Sequence, residues 1–286
     1  MLLWGILPLA LKVTLRSMDA YTITWCRFLA CALILGSALA HRRRLPALGL
    51  LQANWALLGV ATTFLAANYV CYLVGLDHTN PANSQVLIQL APVLLALGGL
   101  SVFGERFTRL QWFGFVVLLI GLAAFVRDQL HVVAVHADEY VLGSLWMALA
   151  AVTWAVYGVA QKQLLRWLPS QAIMLCIYAG CAVLLSPFTA PHRLLQMDAL
   201  GLGMLVFCAL NTLVAYGTFS EALAHWEASR VGAVLALTPV VTIAAGRAAS
   251  AFWPALTTTA TISPVGLLGA GLVVLGALLT ALGQRV

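Results

Sequence analysis

Two stretches of this chain, 147 residues apart, carry one pattern. Leu76-Asp77-His78-Thr79-Asn80-Pro81-Ala82 runs into an apolar segment centred on Leu90-Ala91-Pro92-Val93. Leu223-Ala224-His225-Trp226-Glu227-Ala228-Ser229 runs into another centred on Leu237-Thr238-Pro239-Val240. At that offset His78 falls on His225, Pro92 on Pro239 and Tyr69 on Tyr216. Nearer the start of each half, Trp4 and Lys12 match Trp154 and Lys162 at an offset of 150. A chain of two similar apolar halves typically places a binding site between them, which makes transport the leading reading.

The apolar character is extreme. Only 8% of the 286 residues are charged and 63% are hydrophobic, against about 25% charged in a soluble domain. So few charges cannot cover a water-facing surface, so the chain belongs in a lipid bilayer with little room for a soluble domain. The single basic run, Arg42-Arg43-Arg44, abuts an apolar span. It reads as a topology signal, and no nucleic-acid partner is expected. The six cysteines all lie in apolar segments and form no C-x-x-C pair. Neither a zinc site nor a disulfide framework is suggested, and no metal or cofactor is expected.

A helix needs about 20 apolar residues to cross a bilayer. The pattern predicts ten: 2–16, 20–40, 53–76, 81–103, 109–126, 142–162, 170–189, 198–220, 229–249 and 264–283. The predicted units are a five-helix repeat over 1–126, an extracytoplasmic connection over 127–141 and a second five-helix repeat over 142–286. One side collects Arg42, Arg43, Arg44, Arg106, Arg109, Lys162, Arg166, Arg230 and Arg285; the other collects Arg16, Arg127, Arg193 and Arg247. This imbalance predicts cytoplasmic termini. Five spans per half is odd, so the second half enters the membrane upside down. The fold class is an all-α membrane protein with ten transmembrane helices in two inverted five-helix repeats.

Polar side chains within the spans locate the interior, because hydrocarbon offers them no partner. Lys12 and Arg27 are the clearly intramembrane cations, and such residues are functional candidates by default. Lys12 has the alternative of snorkelling to the interface, and Arg27 that of capping carbonyls at a helix break. The densest polar set is Asn68, Tyr69 and Tyr72 with Asn83, Ser84, Gln85 and Gln89. Gln85 and Gln89 share a helical face, as do Tyr69 and Tyr72. These faces either line a pocket or join helices by hydrogen bonds. The second half offers Trp154, Tyr157, Asn211, Tyr216 and Thr238. Pro92 and Pro239 kink matching spans and are candidate flex points, or static kinks. All nine acidic residues fall at span ends or in loops, so a buried carboxylate relay for protons is poorly supported.

The stretch Leu76 to Pro92, then Phe103-Gly104-Glu105-Arg106-Phe107-Thr108 and Gln111-Trp112-Phe113-Gly114, resembles the EamA-like branch of the drug/metabolite transporter superfamily. So does Trp4-Gly5 with Lys12, followed by Trp25-Cys26-Arg27-Phe28-Leu29. The resemblance implies two inverted five-helix repeats, a central cavity and alternating access. It also implies export or uptake of small metabolites, amino acids prominent among them. The second half departs from the pattern: Ala251-Phe252-Trp253 stands where Gly-Glu-Arg closes the matching helix, and extra residues follow around Thr257-Thr258-Thr259.

The expectation is an inner-membrane carrier that exports or exchanges a small metabolite, an amino acid or related compound. Arg27 is the candidate contact for a substrate carboxylate, with Lys12 second. Tyr69, Tyr72, Asn83, Gln85, Gln89, Trp154 and Tyr216 would supply walls and polar contacts. The rival classes are a membrane-embedded enzyme, for which H-E-x-x-H, G-x-S-x-G and paired intramembrane carboxylates are missing from the sequence,, a channel and a non-transporting scaffold.

Overall fold

The structure, a computed structural model, describes residues 1–46, 48–103, 108–132, 137–226, 231, 234–252 and 262–282. Twelve α-helices lie among the described residues: α1 (Leu2–Thr14), α2 (Ala20–His41), α3 (Leu48–Ala53), α4 (Trp55–His78), α5 (Pro81–Leu87), α6 (Leu90–Phe103), α7 (Arg109–Val132), α8 (Ala137–Leu164), α9 (Ser170–Leu185), α10 (Ala199–His225), α11 (Thr238–Phe252) and α12 (Pro264–Leu282). Seven of the segments are long and apolar enough to span a bilayer by length and composition. The other three expected spans are the short α1 and the two that contain Pro92 and Pro239.

Those two differ from the expectation in an instructive way. The span expected at 81–103 is two helices, α5 and α6, with a turn at Ile88-Gln89. Likewise α11 begins only at Thr238, after a turn at Ala236-Leu237. Proline has no N–H and its ring clashes with the carbonyl four residues earlier, so each helix breaks a turn before the proline. The connection expected over 127–141 is also mostly helical, with α7 running to Val132 and α8 starting at Ala137. Glu105, Arg106, Glu227, Arg230, Trp253, Thr257-Thr258-Thr259 and Arg285 lie outside the described residues.

Local chemistry sets three other starts. Asp19 accepts from Thr22 N (2.9 Å), Asp198 from Gly201 N (2.8 Å) and Asn80 from Asn83 N (3.0 Å). Each satisfies a backbone donor that the first turn leaves open, and Pro81 occupies the position where a missing N–H costs nothing,.

The packing obeys a pseudo-twofold rule. α7 packs on α12 and α2 on α9, each helix on its own counterpart in the other half. The remaining major contacts come in exchange pairs: α4 with α8 and α10 with α1, α6 with α8 and α11 with α1, α4 with α9 and α10 with α2. The counterparts run antiparallel. Gly114 of α7 abuts Gly276 and Thr280 of α12, whereas Gly121, further along, abuts Gly269 and Val273. Tyr21, Phe28 and Gly36 likewise meet Phe188, Tyr178 and Leu175 in turn. Equivalent helices pointing in opposite directions make the repeat an inverted one.

Large apolar side chains face outward, among them Leu33, Phe113, Ile120, Val183, Val206 and Leu268, while Arg27, Asn68, Gln85, Gln161, Asn211 and Thr212 are buried. This distribution suits a hydrocarbon solvent, in which polar groups must be satisfied internally.

Candidate functional site

The symmetry brings like residues together at the centre. Tyr69 and Tyr216, equivalent in the repeat, have ring centroids 5.4 Å apart. Trp4 packs on Tyr216 at 5.1 Å and on Phe219 at 5.5 Å. Its counterpart Trp154 also packs on Phe219, at 5.3 Å. Beside this aromatic cluster lies a cavity of about 100 Å³ between the two halves.

Both halves line it. α1 contributes Trp4, Leu7 and Leu11, α2 contributes Arg27, and α4 contributes Asn68, Tyr69 and Tyr72. The broken span contributes Gln85, Ile88, Gln89, Ala91 and Pro92. From the second half come Trp154, Tyr216, Leu235 and Thr238. Thus Arg27, Tyr69, Tyr72, Gln85, Gln89, Trp154 and Tyr216, all candidates on sequence grounds, share one cavity with Pro92.

Arg27 is 2% exposed. Its Nε donates to Thr212 Oγ1 at 2.9 Å, and its Cζ lies 4.6 Å from the centroid of the Tyr69 ring. That distance is within cation–π range. Its Nη1 and Nη2 make no hydrogen bond to a described residue, and no acidic side chain of a described residue lines the cavity. The charge is not duplicated by the repeat: Ile177 stands at the position of Arg27 in the second half. The scaffold is symmetric and the electrostatics are one-sided. A buried cation without an anionic partner is costly, and it marks where a substrate anion is most strongly attracted.

The two glutamines have a structural duty. Pro8 leaves the Trp4 carbonyl without its helical donor, and Gln85 Nε2 supplies one at 2.9 Å. Pro239 does the same to Leu235, whose carbonyl accepts from Gln89 Nε2 at 3.5 Å and from Thr238 Oγ1. Further cross-links join α10 and α11 to α1, with Asn211 on Leu3 O and Thr242 on Gly5 O, both at 2.7 Å.

Two candidates and one flex point lie outside the lining. Lys12 Nζ donates to Leu76 O (2.9 Å) and Asp77 O (2.7 Å) and stands 3.8 Å from the Asp77 carboxylate. It caps the carbonyl end of α4. Asn83 is fully buried in α5, with neither side-chain amide atom partnered. Pro239 sits beside the second break without lining the cavity. Conversely, Trp4 and Asn68 line the cavity and were not among the residues expected to contact substrate. The repeat already paired Trp4 with Trp154, which was the available signal. Asn68 donates to Ala150 O at 2.8 Å and so also joins the halves.

Comparison with known proteins follows this architecture. The EamA-like transporter family matches residues 1–127 and 141–282. An Escherichia coli K12 protein named uncharacterized inner membrane transporter YhbE is 37% identical over 285 residues, covering 99% of this chain and 89% of that protein. An uncharacterized transporter of Haemophilus influenzae is 35% identical, covering 99% and 92%. A protein of E. coli K12 named probable amino-acid metabolite efflux pump is 24% identical, again covering 99% and 92%. A solved crystal structure superposes with a TM-score of 0.69 at 22% identity, covering 100% of this chain and 95% of the other, and supports the fold alone. With both halves matched across almost the whole chain, the protein is a membrane transporter and belongs to the EamA-like transporter family.

Proposed function

We propose that the protein is an alternating-access carrier of a small carboxylated metabolite, an amino acid or a related compound, which it exports or exchanges across the inner membrane. The substrate lies between the repeats, 1–126 and 142–286, with its carboxylate on the Nη groups of Arg27. Tyr69, Tyr72, Trp154 and Tyr216 form the walls, with Gln85 and Gln89 at the edge. Pro92 and Pro239 serve as flex points, and both termini face the cytoplasm. The observation that carries the reading is the buried guanidinium with open donors beside a cavity that, among the described residues, has no acidic side chain. A planar fork of this kind suits bidentate contact with a carboxylate.

The test is counterflow in proteoliposomes with a panel of labelled amino acids and their 2-oxo acids, comparing wild type with Arg27→Ala. A loss of counterflow by the variant, with an unchanged gel-filtration profile, is the expected result. Undiminished counterflow by a well-folded variant removes Arg27 from the site.

A further inference from the structure

The cavity holds a buried guanidinium and, among the described residues, no acidic side chain, and this bears on which carboxylates it takes. We propose that it selects organic carboxylates with no charged amine, net monoanions such as 2-oxo acids or N-acylated amino acids, over zwitterionic amino acids. This rests on the reading that Arg27 receives the substrate carboxylate.

A zwitterion brings an ammonium one carbon away from its carboxylate, so that ammonium needs its own acceptor near Arg27. None of the described lining residues is acidic. Asp77 and Glu221 lie towards helix ends, with side chains 60% and 57% exposed. At a helix break, free carbonyls are the usual substitute for a carboxylate as cation ligands. Here four such carbonyls already accept a hydrogen bond, and Leu235 O accepts two. Leu235 O takes Gln89 Nε2 and Thr238 Oγ1. Gln85 O takes Gln89 Nε2, Ile88 O takes Ala91 N, and Trp4 O takes Gln85 Nε2. The face of Tyr69, a seat for a cation, already carries Arg27. What remains for an ammonium is neutral, namely amide oxygens such as Gln89 Oε1, phenol oxygens and the other aromatic walls, and none of these carries a charge to offset it.

Arg27 keeps its Nη groups open to the cavity. A monoanion therefore neutralises the cavity. A zwitterion leaves it with the same net positive charge and places a second cation beside the first, in a medium where like charges repel far more strongly than in water.

The experiment measures thermal stabilisation of the purified protein by matched pairs of three sizes: alanine and pyruvate, leucine and 4-methyl-2-oxopentanoate, phenylalanine and phenylpyruvate. A bound ligand raises the melting point by mass action. In the best-fitting pair the 2-oxo acid is expected to act at about a tenfold lower concentration than its amino acid. Arg27→Gln should abolish that stabilisation, and Arg27→Lys should retain part of it. If an amino acid stabilises wild type as well as its 2-oxo acid or better, and Arg27→Gln removes the effect, the amine-free preference is overturned while the carboxylate site stands. If no acid of any size stabilises wild type, or if stabilisation survives Arg27→Gln, the carboxylate site itself fails and the preference with it. The comparison within wild type does not depend on how well either variant folds.

Discussion

Gln85 and Gln89 illustrate how one side chain can be read correctly for place and differently for duty. Polar residues at these positions in an apolar span were bound to face the interior, and both line the cavity. Their amide donors, however, repair carbonyls freed by prolines on other helices. Removing such a donor leaves a buried carbonyl unpartnered, at about 1–3 kcal/mol. Gln85→Leu should therefore lower unfolding stability in detergent by about that amount, and the loss should shrink in a Pro8→Ala background, where residue 8 regains an N–H for the Trp4 carbonyl. An equal loss in both backgrounds would exclude the proline-repair account. Arg27 was legible because a cation in hydrocarbon has few reasons to exist. Its partners Thr212 and Tyr69 were not, since 185 residues separate Arg27 from Thr212. Lys12 shows the limit: the sequence put a cation near the end of α1, and only the fold put the last carbonyls of α4 within its reach.

At the level of elements, the two discontinuous spans are the least expected feature. The sequence showed prolines at matching positions and predicted kinks. The structure has full breaks a turn earlier, because the proline ring conflicts with the carbonyl four residues before it. Healing the second break with Pro239→Ala restores an N–H that can pair with Leu235 O, displacing Gln89 and Thr238. If the breaks serve as flex points, Pro239→Ala should slow counterflow at least several-fold while leaving or raising the melting temperature, since Pro239 stands in the first turn of α11, where proline costs little and alanine adds an N–H for Leu235 O,. Unaltered counterflow with a raised melting temperature would make the break a static feature. The caps at Asp19, Asn80 and Asp198 were visible as polar residues at span boundaries, and the structure uses all three to start helices.

The two halves are held together by contacts across the pseudo-twofold, the most extensive of them between the equivalent helices α7 and α12. α7 and α12 meet through glycines seven residues apart on each, Gly114 and Gly121 against Gly276 and Gly269. A Cβ on Gly121 would lie 2.6 Å from the Val273 nitrogen, and one on Gly276 would meet the Leu118 nitrogen and the Gly114 carbonyl. Backbone cannot yield as a side chain can, so Gly276→Leu should destabilise by at least the about 1–3 kcal/mol typical of overpacking. It should appear as a lower melting temperature or a lost monodisperse peak. Gly271→Leu is the control, because a Cβ at that position, on the outer side of α12, would have nothing within 4 Å. Equal effects at the two positions would refute glycine-mediated packing of the halves.

What the sequence determined by itself was set by local energetics: lipid demands helices, a repeat of five spans inverts, and polar residues turn inward. The candidate site was therefore legible as a set of interior residues from both halves. Which of those donors were already committed to carbonyls, and which were left open to a substrate, was decided only by the tertiary structure. Hydrogen-bond satisfaction depends on distances between helices far apart in the chain, and no spacing along one helix encodes them.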